Sequence, residues 1–229
     1  MTGAMKNPAP TPPVTPPVSP IRAAFWCAAV LAVVTLGLFP VGTAKAACTD
    51  GAARKVDWER CDLRGLDLTG ASLSGANLTR TRLQRATLKD TDLQGATLDG
   101  AVLLGIVMMR ANLTKASMAE ANGRGVNGSG AKMRKLKAPM VNFSNAHMIQ
   151  TDLSGANLEG ADLSRANFSG ANLSGANLKG ADLSDSNFKG ANLKKANIKG
   201  TIFSGTVLDQ AIWVDGHLCK NGSTGECKR

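Results

Sequence analysis

Three consecutive segments of the sequence read Ala156-Asn157-Leu158-Glu159-Gly160, Ala161-Asp162-Leu163-Ser164-Arg165 and Ala166-Asn167-Phe168-Ser169-Gly170. The order is a small residue, Asn or Asp, a large apolar residue, and two further residues, in one register from Cys61 to about Asp215. A period of five matches neither the 3.6 residues of an α-helix nor the two of a flat strand. Self-similarity at a fixed period over this length indicates a solenoid of stacked repeats.

Each repeat has an inside and an outside. The large apolar residue and the small residue two positions before it have the same parity in an extended chain, so both can point inward. The residue between them and the two residues that follow then face water. We expect Leu to fill the axis, Ala to let the corners close, and Gly in the fifth position to accept turn dihedrals that other residues avoid.

The pattern Ala-(Asp/Asn)-Leu-x-x resembles that of the pentapeptide-repeat family over roughly two-thirds of the chain. This resemblance implies an all-β fold, a right-handed quadrilateral parallel β-helix with four pentapeptides per coil. Residues twenty apart would then stack, and residues 61–215 would make about eight coils that each pair only with their neighbours. The open ends need covering, so residues 47–60 and 216–229 are predicted to be terminal caps.

One coil departs from the consensus. Residues 121–140 keep the phase of the repeat but place glycine at two axial positions, Gly123 and Gly128. Two interpretations remain open. In the first, this is a degenerate coil whose voids are filled by larger side chains of the adjoining coils, namely Phe143, Met108 and Met148. In the second, the twenty residues leave the stack and Leu103 packs directly on Phe143. The first is favoured because the small inward positions of the segment remain apolar.

The N-terminal residues are typical of an exported protein. Residues 1–22 are rich in Pro and carry Lys6 and Arg22, and an uncharged apolar run follows from Ala23 to Val41. Ala44-Lys45-Ala46 then supplies a small-x-small cleavage motif, so residues 23–46 are predicted to complete a secretory signal peptide. The expected location is periplasmic or secreted. The alternative is an uncleaved N-terminal anchor facing the periplasm, because the run is close to the length that spans a bilayer.

The cysteines agree with export. Cys27 lies in the apolar run, which leaves one close pair at each end of the expected solenoid, Cys48 with Cys61 and Cys219 with Cys227. Four cysteines allow three pairings. Only the two local bonds fit, because the ends of the solenoid are too far apart for a disulfide, whose Cα atoms lie within about 7 Å. A structural zinc site is disfavoured, since the sequence has no Cys-x-x-Cys spacing.

The chain is basic, with 27 Lys and Arg against 17 Asp and Glu. Such a balance permits binding to anionic polymers or membrane surfaces. The cations are densest in and beside the irregular coil, and outward-facing apolar residues lie close to them in sequence, as at an interface. The predicted binding residues are Arg110, Lys115, Arg124, Lys132, Arg134, Lys135 and Lys137, with Val102, Leu104, Val107 and Met109. The competing interpretation is a solvated, locally frayed coil.

No enzyme signature survives. Gly123-Arg124-Gly125-Val126-Asn127-Gly128 matches the dinucleotide fingerprint in letters, but that fingerprint works between a strand and a helix. The two histidines, His147 and His217, are expected to be surface residues, and the Asp residues before Leu follow from the repeat. We therefore expect no catalytic residue, metal, cofactor or nucleotide.

Several functions fit this fold. The first is a non-enzymatic structural or protein-interaction module of the cell envelope, and the second is a binder of anionic envelope polymer through the basic 110–137 region. Some members of the resembled family mimic DNA and modulate type II topoisomerases through an acidic surface in the cytosol. The basic balance and the export signal disfavour that role here. Outward apolar residues near the end, Ile202, Val207 and Ile212, suit either a cap or a homodimer contact at the C-terminal end.

Overall fold

The computed structural model describes residues 48–229, so the predicted Pro-rich segment and signal peptide lie outside the described residues. Within them the structure has no helix and no extended strand. The pairing consists of isolated parallel bridges between residues twenty apart, from Asp57–Asn77 to Asn192–Ile212. A corner every five residues leaves only about three residues on each side, which is too short for a continuous strand. The predicted fourfold stacking is confirmed.

Residues 56–215 make eight coils of twenty residues, and each coil has four faces. We name each face after one axial leucine. The Leu63, Leu68, Leu73 and Leu78 faces hold residues 61–65, 66–70, 71–75 and 76–80, together with the segments displaced from these by multiples of twenty. The first bridge uses Asp57, so Trp58 occupies an axial position one repeat before the predicted start at Cys61.

The interior is a column of fully buried apolar side chains. Leu73, Leu158, Leu178 and their equivalents have no exposed surface, and the rings of Phe168 and Phe188 stack with centroids 4.9 Å apart. Three backbone hydrogen bonds per repeat join successive coils. Leu158 N–H donates to the Asn177 carbonyl and Asn177 N–H to the Ala156 carbonyl, each at 2.8 Å, and Gly160 N–H donates to the Lys179 carbonyl at 2.9 Å. Burial and interlocked main chains together hold each coil on the next.

The corners are tight turns. The N–H of each small residue donates to the carbonyl of the preceding axial residue, as from Ala161 to Leu158 at 3.1 Å, and the residue before it has a positive φ. Glycine occupies many of these positions, but Arg, Lys, Asp, Glu, Gln, Asn and Met fill the others, as at Met140 with φ 55°. Left-handed backbone is costly for such residues, so the hydrogen-bonded turn and the stacked neighbours must hold them there.

The Asn or Asp before each axial residue also has a structural role. Asp162 Oδ1 accepts from the Ser164 N–H at 3.0 Å and from the Ser164 hydroxyl at 2.6 Å, which closes an Asx turn at the corner. Asn side chains also join successive coils, as where Asn177 Nδ2 donates to Asn157 Oδ1 at 2.9 Å. This residue preference therefore reflects turn and ladder chemistry.

Residues 121–140 form a coil of the stack, with bridges from Val102 to Asn122 below and from Asn122 to Asn142 above. The arrangement in which the segment leaves the stack is absent. A Cβ on Gly123 would lie 2.7 Å from a ring carbon of Phe143, and one on Gly128 would lie 2.7 Å from the Met148 sulfur. Two of the three predicted void-filling residues therefore occupy the space that the axial glycines leave.

Both predicted disulfides are present. Cys48–Cys61 has a Cα–Cα distance of 5.5 Å and Cys219–Cys227 one of 5.1 Å. At the first end, the buried Trp58 indole donates to the Asp50 carbonyl at 3.2 Å. At the other end, the tail folds back and forms antiparallel bridges from Val207 to Thr224 and from Ile212 to Leu218.

Candidate binding surface

The basic residues predicted as one cluster are distributed over all four faces. Arg110 lies on the Leu68 face, Arg124 on the Leu63 face and Lys137 on the Leu78 face. The four others share the Leu73 face: Lys115, Lys132, Arg134 and Lys135. Basic residues that are close in sequence lie on different faces because the chain turns a corner every five residues.

The predicted apolar residues lie elsewhere. Val102 and Leu104 are on the Leu63 face, which is opposite the Leu73 face in the coil, and Val107 and Met109 are on the Leu68 face. Leu104 is 37% exposed, and the other three are half-buried. The structure therefore does not join these apolar side chains and the four cations into one composite surface.

The Leu73 face carries most of the net positive charge of the described residues. Over its nine segments, from 51–55 to 211–215, it has eight basic and three acidic side chains. The Leu68 and Leu78 faces are balanced, with three of each sign and five of each sign, and the Leu63 face has five basic and four acidic residues. The basic residues of the Leu73 face are Arg54, Lys55, Lys115, Lys132, Arg134, Lys135, Lys194 and Lys195.

Four of these cations surround an open groove of about 520 Å³. Asn112, Thr114 and Asp152 supply the rest of its lining. Arg134 Nε lies 3.5 Å from Asp152 Oδ2, whereas Lys115, Lys132 and Lys135 form no ion pair within residues 48–229. Three ammonium groups therefore remain available to an external anion.

Stacking fixes the spacing of these cations. Lys115 and Lys135 occupy successive corners with φ of 60° and 55°, about 4.8 Å apart along the axis. The Cγ of Lys135 lies 3.6 Å from the position that a Cβ on Gly155 would take, so its stem runs along the next corner. Lys194 and Lys195 lie three coils further on, which is about 14 Å.

On the other faces, several carboxyl groups have a lowered pKa because they form ion pairs with basic side chains of the same chain. The Arg110 guanidinium donates two hydrogen bonds of 2.8 Å to Asp90 and lowers the pKa of that carboxyl. Arg64 lowers the pKa of Asp62 in the same way, and Lys179 lowers that of Glu159. These shifts come from exposed ion pairs. In a catalytic acid–base pair, by contrast, the environment pushes the pKa values of the two groups apart.

The dinucleotide-like motif Gly123–Gly128 spans two faces of one coil, with no helix after it. His147 is exposed on the Leu68 face. Within residues 48–229, a ring nitrogen of His217 and the sulfurs of Cys219 and Cys227 lie within 4.8 Å of one another. Both sulfurs are already bonded to each other in this state.

The C-terminal end is only partly covered. The tail lies over the Leu68 and Leu73 faces, and it pairs with Val207 and Ile212. On the other two faces, Ile198 and Phe203 of the last coil are half-buried, and Ile202 is 51% exposed. A homodimer through this end stays a prediction. Among residues 48–229, the structure contains no helix that is long and apolar enough to cross a membrane.

Comparison with known proteins settles the family. The model of the Pentapeptide repeats family matches eight copies, over residues 46–80, 67–105, 106–137, 141–180 and 171–210. The chain belongs to the pentapeptide-repeat family. Pentapeptide-repeat proteins fold as right-handed quadrilateral β-helices, which agrees with the fourfold stacking described above. The family includes non-enzymatic structural and interaction modules.

Solved pentapeptide-repeat structures include several similar chains. HetL from Nostoc sp. strain PCC 7120, involved in heterocyst differentiation regulation, is 28% identical, with 72% of this chain and 92% of HetL covered and a TM-score of 0.30. A thylakoid-lumen protein of Arabidopsis thaliana is 29% identical, with 54% and 72% covered and a TM-score of 0.26. QnrB1, a plasmid-mediated fluoroquinolone resistance protein, is 21% identical, with 69% and 86% covered and a TM-score of 0.31. No curated protein matches the chain.

Proposed function

We propose that this chain is a non-enzymatic, exported interaction module whose Leu73 face binds an anionic polymer of the cell envelope. The observation that supports this most directly is the concentration of net positive charge on one face of a solenoid whose other faces are nearly balanced. Cations on one face, at spacings of one coil from Lys115 to Lys135 and three coils from Lys135 to Lys195, suit a ligand with repeated negative charges. Such binding needs complementary potential more than a closed pocket.

The groove around Lys115, Lys132 and Lys135 is the centre of the proposed site. These three ammonium groups have no internal partner within the described residues, so an incoming anion does not have to displace one. Lys194 and Lys195 extend the same face by about 14 Å, beyond the reach of a small anion. The proposed ligand is therefore a chain of charges, and a single phosphate or carboxylate would engage only part of the face.

Two rival functions make different demands on the surface. A protein partner would require an apolar centre within the interface, and the exposed apolar residues Leu104 and Ile149 lie on other faces. A DNA mimic that modulates topoisomerases would require an acidic surface and a cytosolic address, as the family resemblance implies. The Leu73 face has the opposite charge.

The test compares two variants of equal net charge. In the first, Lys115, Lys132, Arg134 and Lys135 of the Leu73 face are changed to Gln. In the matched control, four cations of the balanced Leu78 face are changed to Gln: Arg80, Lys137, Lys179 and Lys199. Retention on a heparin column and the salt dependence of heparin binding are measured, with far-UV circular dichroism to verify the fold.

The wild type should bind heparin with an affinity that falls steeply with salt, because binding releases counterions. The Leu73-face variant should elute at clearly lower salt, and its log–log salt slope should fall by about three, since each charge contact contributes a little under one. The control should elute close to the wild type. Equal losses in both variants would show that only net charge matters, and unchanged retention in both would remove the proposal.

The export part is tested separately. Cell fractionation and N-terminal sequencing should find a chain that starts near Ala47 or Cys48 outside the cytosol, and a full-length cytosolic chain would contradict it. The cleavage motif Ala44-Lys45-Ala46 motivates this expectation.

A further inference from the structure

The C-terminal cap places a carboxylate, an imidazole and a sulfur in line. Asp215 Oδ1 contacts Nδ1 of His217, and the other ring nitrogen of His217, Nε2, lies 3.2 Å from Cys227 Sγ. The second oxygen of Asp215 accepts from Arg229 at 3.0 Å. The His217 N–H also donates to Asp215 and lowers the pKa of that carboxyl. Asp215 therefore fixes the orientation of the His217 ring, and the other ring nitrogen faces Cys227 Sγ.

The two sulfurs of this disulfide have different environments. Cys219 is 1% exposed, and its backbone is fixed on both sides: its N–H donates to Ala211 and its carbonyl accepts from Gln210. Cys227 is half-buried. An external thiolate therefore reaches Cys227 Sγ more easily than Cys219 Sγ.

An imidazole in this position changes the chemistry of the reduced form. A cysteine thiolate next to an imidazolium is stabilised, and such a cysteine is deprotonated at a lower pH than a free thiol. A carboxylate on the far ring nitrogen fixes the orientation of the ring and stabilises its charged form. A disulfide whose reduced form is stabilised in this way is a stronger oxidant.

We propose that Cys219–Cys227 is a redox-active disulfide that exchanges with dithiols, with Cys227 as the sulfur that is attacked and Cys219 as the leaving thiolate. His217 and Asp215 act as positioning residues that stabilise the Cys227 thiolate. This activity belongs to the cap and does not depend on the basic Leu73 face. It adds thiol–disulfide chemistry to a solenoid that is otherwise a binding module.

The exchange balances as follows. One thiolate of a substrate dithiol attacks Cys227 Sγ, the Cys219–Cys227 bond breaks, and Cys219 leaves as a thiolate that takes up a proton. The second substrate thiolate then attacks the substrate sulfur of the mixed disulfide and releases Cys227 as a thiolate beside His217. The substrate dithiol loses two electrons and two protons and becomes a disulfide. The protein gains both electrons and one proton, which is on Cys219, and the second proton is released to solvent because Cys227 stays a thiolate.

The other disulfide is a built-in control. Cys48–Cys61 has the same asymmetry, since Cys48 is exposed and Cys61 is 1% exposed. The sequence has only two histidines, and the second one, His147, is exposed on the Leu68 face several coils from this end. The part of any difference between the two disulfides that His217→Ala or Asp215→Asn removes is therefore the contribution of that residue.

The first experiment equilibrates the full chain with glutathione buffers in the presence of EDTA, which keeps metal ions off the thiols. Free thiols are alkylated, and each pair is quantified by peptide mass mapping. Cys219–Cys227 should become reduced at a glutathione ratio at least about tenfold more oxidising than Cys48–Cys61 requires, because a tenfold ratio corresponds to about 1.4 kcal/mol of thiolate stabilisation. His217→Ala should remove most of that difference, and Asp215→Asn should remove part of it.

The second experiment measures the Cys227 thiol directly. In Cys219→Ala, the rate of Cys227 alkylation by iodoacetamide should rise with pH at a midpoint below the ordinary 8.5 or so of a thiol, and His217→Ala should return it to that range. The charged groups near the thiol include His217, Asp215 and Arg229, together with Glu226 and Lys228, which adjoin Cys227 in sequence. Arg229→Gln tests whether the Arg229 cation lowers the pH midpoint of Cys227 alkylation. If the midpoint is unchanged in Arg229→Gln, His217 is responsible for lowering it.

Folding of the cap is checked on the oxidised proteins. His217→Ala keeps the backbone hydrogen bond from the Trp213 N–H to the His217 carbonyl, so its Trp fluorescence and melting temperature should match the wild type. Equal reduction of both disulfides in the wild type, or an alkylation midpoint that His217→Ala does not move, would overturn the proposal.

Discussion

The contact between Gly123 and Phe143 gives a sharp test of how the irregular coil stays in the stack. Phe143 has no exposed surface, and its ring lies where the side chain of a consensus axial residue at position 123 would be. The perturbation is Gly123→Ala. The φ of Gly123 is outside the left-handed region, so the new methyl group is tested without backbone strain.

The expected cost follows from the distances. The added Cβ would lie 2.7 and 2.8 Å from two ring carbons of Phe143, about 1 Å closer than carbon atoms approach in ordinary contact. The ring cannot swing into solvent, so Gly123→Ala should lower the free energy of unfolding by about 1–3 kcal/mol, as overpacking does. Phe143→Leu alone should cost about 1–2 kcal/mol through the cavity it leaves.

The double variant Gly123→Ala/Phe143→Leu should then be more stable, by about 1–2 kcal/mol, than the sum of the two losses predicts. The smaller leucine leaves room for the added methyl group, and the methyl group fills part of the cavity. Urea unfolding followed by circular dichroism measures all four proteins, and equal m-values are required for the comparison. Gly51→Ala is the control, since no heavy atom lies within 4 Å of its added Cβ. Additive losses, or a Gly123→Ala protein as stable as the wild type, would refute the packing account.

Two further predictions concern the corners and the ion pairs. Met140 is 60% exposed with φ 55°, so Met140→Gly should raise the free energy of unfolding by about 0.5–1 kcal/mol in urea titration. The reverse change at an open corner, Gly105→Ala, should lower the free energy of unfolding by about 1 kcal/mol. A loss of stability in both variants would contradict the argument that left-handed backbone strains residues other than glycine. Because Arg110 lowers the pKa of Asp90 in the folded state, the pair stabilises the protein above the ordinary aspartate range, and this stabilisation is lost as the pH falls through the lowered value. Asp90→Asn should therefore be less stable than the wild type at pH 7 and equally stable in acid, which thermal melts across a range of pH measure. In an Arg110→Gln background, Asp90→Asn should have no effect on stability.

Much of the fold was predictable from local sequence. The five-residue period fixed which side chains face inward, because alternation along an extended segment depends only on parity. The same period made Phe168 and Phe188 vertical neighbours, and the short Cys48–Cys61 and Cys219–Cys227 loops left one workable pairing. The start of the stack was placed one repeat too late because Val56-Asp57-Trp58 carries larger residues than the consensus.

The grouping of charges was decided only in three dimensions. Arg134 and Lys137 are three residues apart but lie on different faces, while Lys135 and Lys195 are sixty apart and share one, because surface neighbours in this fold recur every twenty residues. The contact between His217 and Cys227 likewise requires the tail to reverse after Gly216, which no periodicity in the sequence encodes. Repetition along the chain thus determined the core and the coils, and the closing of each coil determined which side chains meet on the surface.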